Sequence, residues 1–108
     1  LESQGNSITE GIGTGRITKN FEKALIDDAF QTDDIEALKI VYDLIEKQNI
    51  ILGGSSGINI AGAIKLAKKL GKGKTIVTIL CDDGRRYASK IFNKEFLKNK
   101  NLPIPKWL

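Results

Sequence analysis

Histidine and methionine are absent from this 108-residue sequence, and cysteine occurs only once, as Cys81. One cysteine excludes an internal disulfide framework, and the lack of histidine also excludes a zinc site of the usual Cys/His type. No apolar run approaches the ~20 residues of a membrane-spanning helix. The low cysteine content favours a reducing compartment, here expected to be the cytoplasm. Because methionine is missing, we expect a fragment or a processed chain.

Charge is distributed unevenly along the chain, although the formal net charge is only +4. Residues 1–64 carry 5 basic and 10 acidic side chains, whereas residues 65–108 carry 12 basic and 3 acidic ones. Such a basic half is compatible with a non-catalytic module that binds an anion or nucleic acid. Four of its lysines follow helical spacing without interleaved aromatic residues, which instead indicates the solvated outer face of a helix. These lysines are Lys65, Lys68, Lys69 and Lys72.

Apolar periodicity predicts two long helices. The first covers residues 33–48, with Thr32 or Asp33 as its cap and Glu36 in capping-box register with Asp33. The second covers residues 57–70 and ends at Gly71. Shorter helices are expected within residues 82–108.

Short apolar runs at residues 50–52 and 75–81 predict buried strands, and residues 24–30 predict a further short strand. Strand, helix and strand in this order predict a parallel βαβ unit, hence an α/β fold. The expected organisation is a loop over residues 1–20, a strand–helix–strand–helix–strand region over residues 24–81, and a helical tail over residues 82–108.

The glycine-rich sequence from Gly53 to Gly57 follows the first of these buried strands. Glycines allow a planar ligand to approach the backbone, Ser55 offers a neutral hydroxyl, and a helix N-terminus attracts anions. The same residues could instead turn the strand into the helix, with Ser56 as its cap. The sequence physics favours neither interpretation.

Two other loops carry weaker signals. The glycines at 11, 13 and 15 do not have dinucleotide-binding or Walker spacing, so by themselves they indicate a flexible turn. The adjacent Asp82 and Asp83 could hold a cation or act in acid–base chemistry, but surface pairing or helix capping explains them more simply. Cys81 is expected to be a buried thiol at the end of a strand.

Together the three loops resemble the carboxy-terminal part of the cysteine synthases (O-acetylserine sulfhydrylases). These are fold-type-II pyridoxal-phosphate enzymes, similar to the tryptophan synthase β-subunit. The matching segments are Ser7-Ile-Thr-Glu-Gly-Ile-Gly-Thr-Gly-Arg-Ile-Thr18, Leu52-Gly-Gly-Ser-Ser-Gly57 and Cys81-Asp-Asp-Gly-Arg-Arg-Tyr87 with Ser89-Lys90. Cystathionine β-synthase is the alternative within the same group.

The resemblance implies pyridoxal phosphate as cofactor and β-replacement, in which O-acetylserine and sulfide give L-cysteine. It assigns Ser55 to the pyridine nitrogen, Gly11 and Gly13 to the cofactor and substrate face, and Cys81 and Asp82 to the pyridine edge. Gly54 is included among the cofactor-binding residues.

The family's cofactor-binding lysine and phosphate loop lie in segments that this sequence does not match. We therefore assign no catalytic residue here and expect the 108-residue chain alone to be inactive. The resemblance further implies a cytoplasmic homodimer and a serine acetyltransferase partner. Geometrically, Ser55 and Asp82 should open onto one crevice covered by residues 11–13, with the four lysines pointing outward on the far side.

Overall fold

A computed structural model describes residues 7–108 of the chain. Helices dominate the described part, and they are separated by extended or irregular segments. The α-helices are α1 (Lys19–Glu22), α2 (Asp34–Gln48), α3 (Gly54–Leu70), α4 (Ala88–Ile91) and α5 (Lys94–Asn99), and a 3₁₀ helix spans Gly84–Tyr87.

Helix α2 forms as predicted, with Asp33 as its N-cap. The Asp33 carboxylate accepts the backbone N–H of Glu36 at 2.9 Å, and the Glu36 carboxylate accepts the N–H of Asp33 at 3.1 Å. This reciprocal pair satisfies two N–H groups that the first helical turn leaves free. The helix ends at Asn49, which adopts a left-handed conformation with φ of 56°.

Helix α3 ends at residue 70 as predicted but begins at Gly54, three residues earlier than expected. Its N-cap is Gly53, which provides no side-chain cap, so the interpretation in which Ser56 caps the helix is wrong. The Ser56 side chain is fully buried, and its Oγ accepts the backbone N–H of Cys81 at 2.9 Å. Ser56 therefore links α3 to the segment that follows residue 80.

The hydrophobic core lies between α2 and the carboxy-terminal helices. Partly buried apolar residues from the chain ends, including Ile8 and Leu108, pack around it. The Tyr42 hydroxyl donates to the Ile91 carbonyl at 2.6 Å, which satisfies a buried polar group inside this cluster. The buried members of the cluster are Leu38, Val41, Tyr42, Ile91 and Leu97.

The predicted parallel βαβ unit is not confirmed. Residues 7–108 contain no β-strand, and the one β-bridge in this range is an antiparallel pair between Leu52 and Asp83. The segments at 24–30 and 75–80 are largely exposed and have no ladder partner in the described chain. A strand persists only where its N–H and C=O groups pair with a neighbour, which a local apolar pattern does not supply.

The four lysines lie outside the lining of the cavity beside Ser55, and Lys68 and Lys72 are exposed as predicted, but Lys65 and Lys69 make contacts within the chain. The Lys65 ammonium donates to the Gln31 carbonyl at 2.5 Å and to the Glu36 carboxylate at 3.0 Å. Lys69 pairs with Asp28, and its ammonium lies 6.0 Å from the centre of the Phe30 ring. Lys65 and Lys69 thus hold the loop that precedes α2 against α3.

Across the described residues, no helix is long and apolar enough to cross a membrane.

Candidate functional site

A small cavity of about 60 Å³ lies where the start of α3 meets the segment at residues 8–10. Ser55 and Gly54 line it from α3, Asp82 lines it from the turn that enters the 3₁₀ helix, and Tyr87 lines it from the end of that helix. The structure therefore places Ser55 and Asp82 on one cavity, as predicted. The two segments are joined by antiparallel hydrogen bonds rather than by a parallel sheet, with the Gly53 N–H donating to the Asp82 carbonyl at 2.9 Å.

The two adjacent serines have different surroundings. Ser56 is fully buried and holds the Cys81 N–H, whereas Ser55 is half-buried and faces the cavity. Within residues 7–108, the Ser55 hydroxyl makes no hydrogen bond. It lies in the first turn of α3, where backbone N–H groups also have no partner within the helix. Toward the described part of the chain, Ser55 is thus an unused donor and acceptor on the cavity wall.

Asp82 is held by two neighbouring side chains. The Tyr87 hydroxyl donates to one of its carboxylate oxygens, and the Arg86 guanidinium donates to the other at 3.3 Å. The hydrogen bond to Asp82 raises the pKa of the Tyr87 hydroxyl, and burial and the charge of Asp82 add to this shift. Tyr87 consequently remains a neutral donor at physiological pH, and Asp82 is fixed in its orientation.

The segment at residues 7–10 closes another side of the cavity. The N–H of Ile8 donates to the Asp34 carboxylate at 2.8 Å, at the start of α2. The Glu10 carboxylate pairs with the Lys90 ammonium of α4 at 2.9 Å, and this hydrogen bond lowers the pKa of Glu10. The segment is therefore anchored at both ends, by residues distant from it in sequence.

Glycines 53 and 54 are required by contacts within the protein. A Cβ at Gly54 would lie 2.6 Å from the Thr9 hydroxyl oxygen, and a Cβ at Gly53 would lie 2.8 Å from the Tyr87 ring. Both distances are shorter than ordinary van der Waals contact. The glycines thus let two neighbouring segments of the protein approach α3 closely. One interpretation of the sequence assigned such a close approach to a planar ligand instead.

Three of the predicted cofactor-binding residues lie outside the lining of this cavity. Gly11 and Gly13 have positive φ angles of 76° and 69°, a conformation that favours glycine, and both are exposed. Cys81 is exposed rather than buried, and its Sγ lies 3.5 Å from the Asn59 amide nitrogen. The predicted cover of residues 11–13 over the Ser55 cavity is not formed; residues 8–10 occupy that side.

Sequence reasoning assigned no role to several residues that line the cavity. Tyr87, Lys90 and Glu10 all fall inside the motifs that carried the family resemblance, which was the available signal. Their pairing could not be deduced from spacing, since Glu10 and Lys90 are separated by 80 residues.

Residues 2–82 match the family described as pyridoxal-phosphate dependent enzyme. The match covers more than half of the chain, and the chain belongs to this family of enzymes.

Among curated proteins, the chain is similar to several cysteine synthases. It is 44% identical to the cysteine synthase of Dictyostelium discoideum over 98 residues, which is 91% of this chain and 26% of that protein. Identity to cysteine synthase 1 is 43% for Neurospora crassa, over 94% of this chain and 28% of that protein. For Emericella nidulans it is 42%, over 100% of this chain and 30% of that protein. The chain thus spans between a quarter and a third of these relatives' length.

The side chains at the cavity fit one edge of the family's cofactor. The Ser55 hydroxyl is neutral, has no partner among residues 7–108, and can donate to or accept from a ring nitrogen. The Asp82 carboxylate is already engaged by the Tyr87 hydroxyl and by the Arg86 guanidinium.

Proposed function

We propose that this chain forms one wall of the pyridoxal-phosphate site of a cysteine synthase, as the carboxy-terminal part of its catalytic domain. The complete enzyme would make L-cysteine from O-acetylserine and sulfide by β-replacement. The unpaired Ser55 hydroxyl on the cavity wall is the observation that carries the proposal. The similarity to cysteine synthases over nearly the whole chain supports the choice of reaction.

Ser55 would hold the pyridine nitrogen of the cofactor through one neutral hydrogen bond. When bound, the cofactor supplies an electron sink for the amino-acid substrate. A carboxylate at position 55 would keep the ring nitrogen protonated and strengthen that sink, whereas a hydroxyl leaves the nitrogen unprotonated. The weaker sink suits elimination of a good leaving group such as acetate.

The remaining contacts belong to the same proposal. Gly54 and Asp82 would form the wall beside Ser55, and Cys81 would follow at the pyridine edge. Gly11 and Gly13 would line the cofactor and substrate face, where their positive φ angles shape an exposed loop. No residue of this segment is assigned a bond-making role.

The assembly and location of the complete protein are likewise proposals. The family resemblance supports a homodimer and a docking partner with serine acetyltransferase activity. It also supports a cytoplasmic location, although one relative of 38% identity is named a putative mitochondrial cysteine synthase.

Cystathionine β-synthase is the weaker alternative. The protein of that name from Dictyostelium discoideum is 36% identical to the chain, below the cysteine synthases that cover similar residues. Cysteine formation from O-acetylserine and sulfide, compared with cystathionine formation from serine and homocysteine, separates the two reactions.

The test uses the complete protein, with Ser55→Ala and Ser55→Asp variants. Loss of one neutral hydrogen bond should weaken cofactor binding by about 1 kcal/mol in Ser55→Ala. Ser55→Asp should bind the cofactor but slow β-replacement, because the carboxylate protonates the ring nitrogen. The matched control is Ser89→Ala, since Ser89 is exposed on α4 and is not part of the lining of the cavity. Unchanged turnover in Ser55→Asp would count against the assignment.

A further inference from the structure

Tyr87 joins the elements that surround Ser55. Its ring packs against Gly53, the residue that caps α3, so closely that a Cβ there would lie 2.8 Å from the ring. Its hydroxyl donates to Asp82, whose backbone carbonyl accepts the Gly53 N–H at 2.9 Å. Tyr87 thus contacts the start of α3 directly through its ring and indirectly through Asp82.

The backbone around Tyr87 is itself closely held. The N–H of Gly84 donates to the Ile51 carbonyl at 3.3 Å, and a Cβ at Gly84 would lie 2.5 Å from the Leu52 carbonyl oxygen. The 3₁₀ helix therefore begins against the same short segment that leads into α3. Tyr87 lies at the end of that 3₁₀ helix and lines the cavity, so the close packing at Gly84 restricts the position of its backbone.

Ser55 has no comparable restraint of its own. Its hydroxyl is unpaired within the described chain, and its neighbour Gly53 provides no side-chain cap for the helix. The position of Ser55 consequently depends on how firmly the first turn of α3 is held from outside. Ser56, through Cys81, also holds this turn, but Tyr87 lines the same cavity as Ser55, so one of the residues that hold the turn faces the site.

We propose that Tyr87 is a positioning residue. Its hydroxyl holds Asp82 against the start of α3, and this contact fixes the position in which the Ser55 hydroxyl meets the cofactor's ring nitrogen. The inference rests on the proposed function, because it requires Ser55 to contact the cofactor. Tyr87 itself takes no part in bond making. Its effect is transmitted through the geometry of Ser55.

A double-mutant cycle on the complete protein tests this coupling through the dissociation constant of pyridoxal phosphate. The variants are Ser55→Ala, Tyr87→Phe and the two combined. Tyr87→Phe keeps the ring against Gly53 and removes only the hydroxyl. Each single change should weaken cofactor binding by about fivefold, the size expected for one hydrogen bond. The combined variant should bind no more than about twofold more weakly than Ser55→Ala alone.

Tyr42→Phe provides the matched control. It also removes a tyrosine hydroxyl that donates within the protein, here to the Ile91 carbonyl at 2.6 Å in the core. It should lower the thermal midpoint of unfolding and leave the cofactor dissociation constant unchanged. A merely structural role for the Tyr87 hydroxyl would give that same pattern in Tyr87→Phe and would overturn the inference.

The remaining outcomes separate the two proposals. If Ser55→Ala binds the cofactor as tightly as the unchanged protein, the Ser55 contact in the proposed function is wrong. If Ser55→Ala weakens binding but the Tyr87→Phe effect persists in full in its presence, Ser55 keeps its role and the positioning role of Tyr87 is refuted. Coupling of the two effects supports both.

Discussion

The helical cluster around α2 buries its apolar side chains, whereas the extended segment at residues 75–80 exposes them to solvent. In the cluster, Val41 and Leu97 are completely inaccessible to solvent. In the segment, Val77 is 88% exposed and Ile79 is 71% exposed. Both regions are rich in apolar residues, so composition does not explain the difference.

The difference follows from how each kind of backbone satisfies its hydrogen bonds. A helix pairs its N–H and C=O groups within itself, and α2 needs only an apolar stripe and a cap before it can pack. An extended segment needs a neighbouring strand for the same purpose, and residues 75–80 have none within the described chain. The helical region is therefore self-sufficient, whereas the extended region carries an uncovered apolar surface.

Removing one apolar side chain from each region tests this comparison with the largest expected effect. Leu97→Ala should lower the free energy of unfolding of the chain by about 2–5 kcal/mol, because it leaves a cavity in a closed core. Val77→Ala should change it by no more than about 0.5 kcal/mol, as is typical of exposed sites. Urea denaturation followed by circular dichroism measures both. Equal losses would show that residues 75–80 are packed in solution.

The contact between α2 and α3 offers the next test. A Cβ at Gly57 would lie 2.5 Å from the Ala37 carbonyl oxygen, so Gly57→Ala should cost about 1–3 kcal/mol of stability through overpacking. Gly62 lies on the same helix with nothing within 4 Å of such a Cβ. Gly62→Ala should therefore stabilise the chain by about 0.5–1 kcal/mol, since glycine is unfavourable inside a helix. The same denaturation experiment distinguishes them, and a loss at position 62 would contradict the packing described.

The same distinction decides how much the sequence could predict. Helix α2 and its capping box depend on residues three and four positions apart, and both are confirmed. The end of α3 at Gly71 is also a local signal and is confirmed. The strands were not confirmed, because pairing depends on segments far apart in sequence. The start of α3 was missed since Gly54, Ser55 and Ser56 are poor helix formers, placed in the helix by the Cys81 and Asp82 contacts.

In the candidate site, too, some features follow from local motifs and others depend on contacts between distant residues. The motifs predicted that Ser55 and Asp82 would open onto one crevice, and both line the same cavity. The resemblance pointed to Ser55, but the sequence could not show that the neighbouring Ser56 hydroxyl accepts the Cys81 N–H, 25 residues away. Nor could the motifs predict that Tyr87 would fill the space beside Gly53. Both features depend on tertiary contacts that no spacing rule expresses.

Helix capping gives a smaller effect that again separates the two regions. Asp33→Ala removes the carboxylate that accepts the Glu36 N–H, and it should cost about 1 kcal/mol. Asp27→Ala is the control in the extended region, where this exposed carboxylate makes no hydrogen bond or ion pair with described residues. It should leave the unfolding free energy unchanged within error. A cost at position 27 equal to that at position 33 would mean that net charge, rather than the cap, sets the loss.

The smallest effect concerns an exposed ion pair at the start of the 3₁₀ helix. Hydrogen bonds from the Arg85 side chain and backbone N–H lower the pKa of Asp83 from its ordinary value of 3.8 to about 2. The unfolded chain lacks this contact, so the stabilisation is present above about pH 4 and is lost as the pH falls towards 2. A carbon-detected NMR titration of the Asp83 carboxyl should show the low value directly. Arg85→Gln removes the guanidinium but keeps the backbone N–H, so the pKa should rise only part of the way to 3.8. An ordinary pKa for Asp83 in the unchanged chain would show that Arg85 does not hold the Asp83 carboxylate in solution. Asp83 would then be held only through its backbone, at the antiparallel bridge to Leu52.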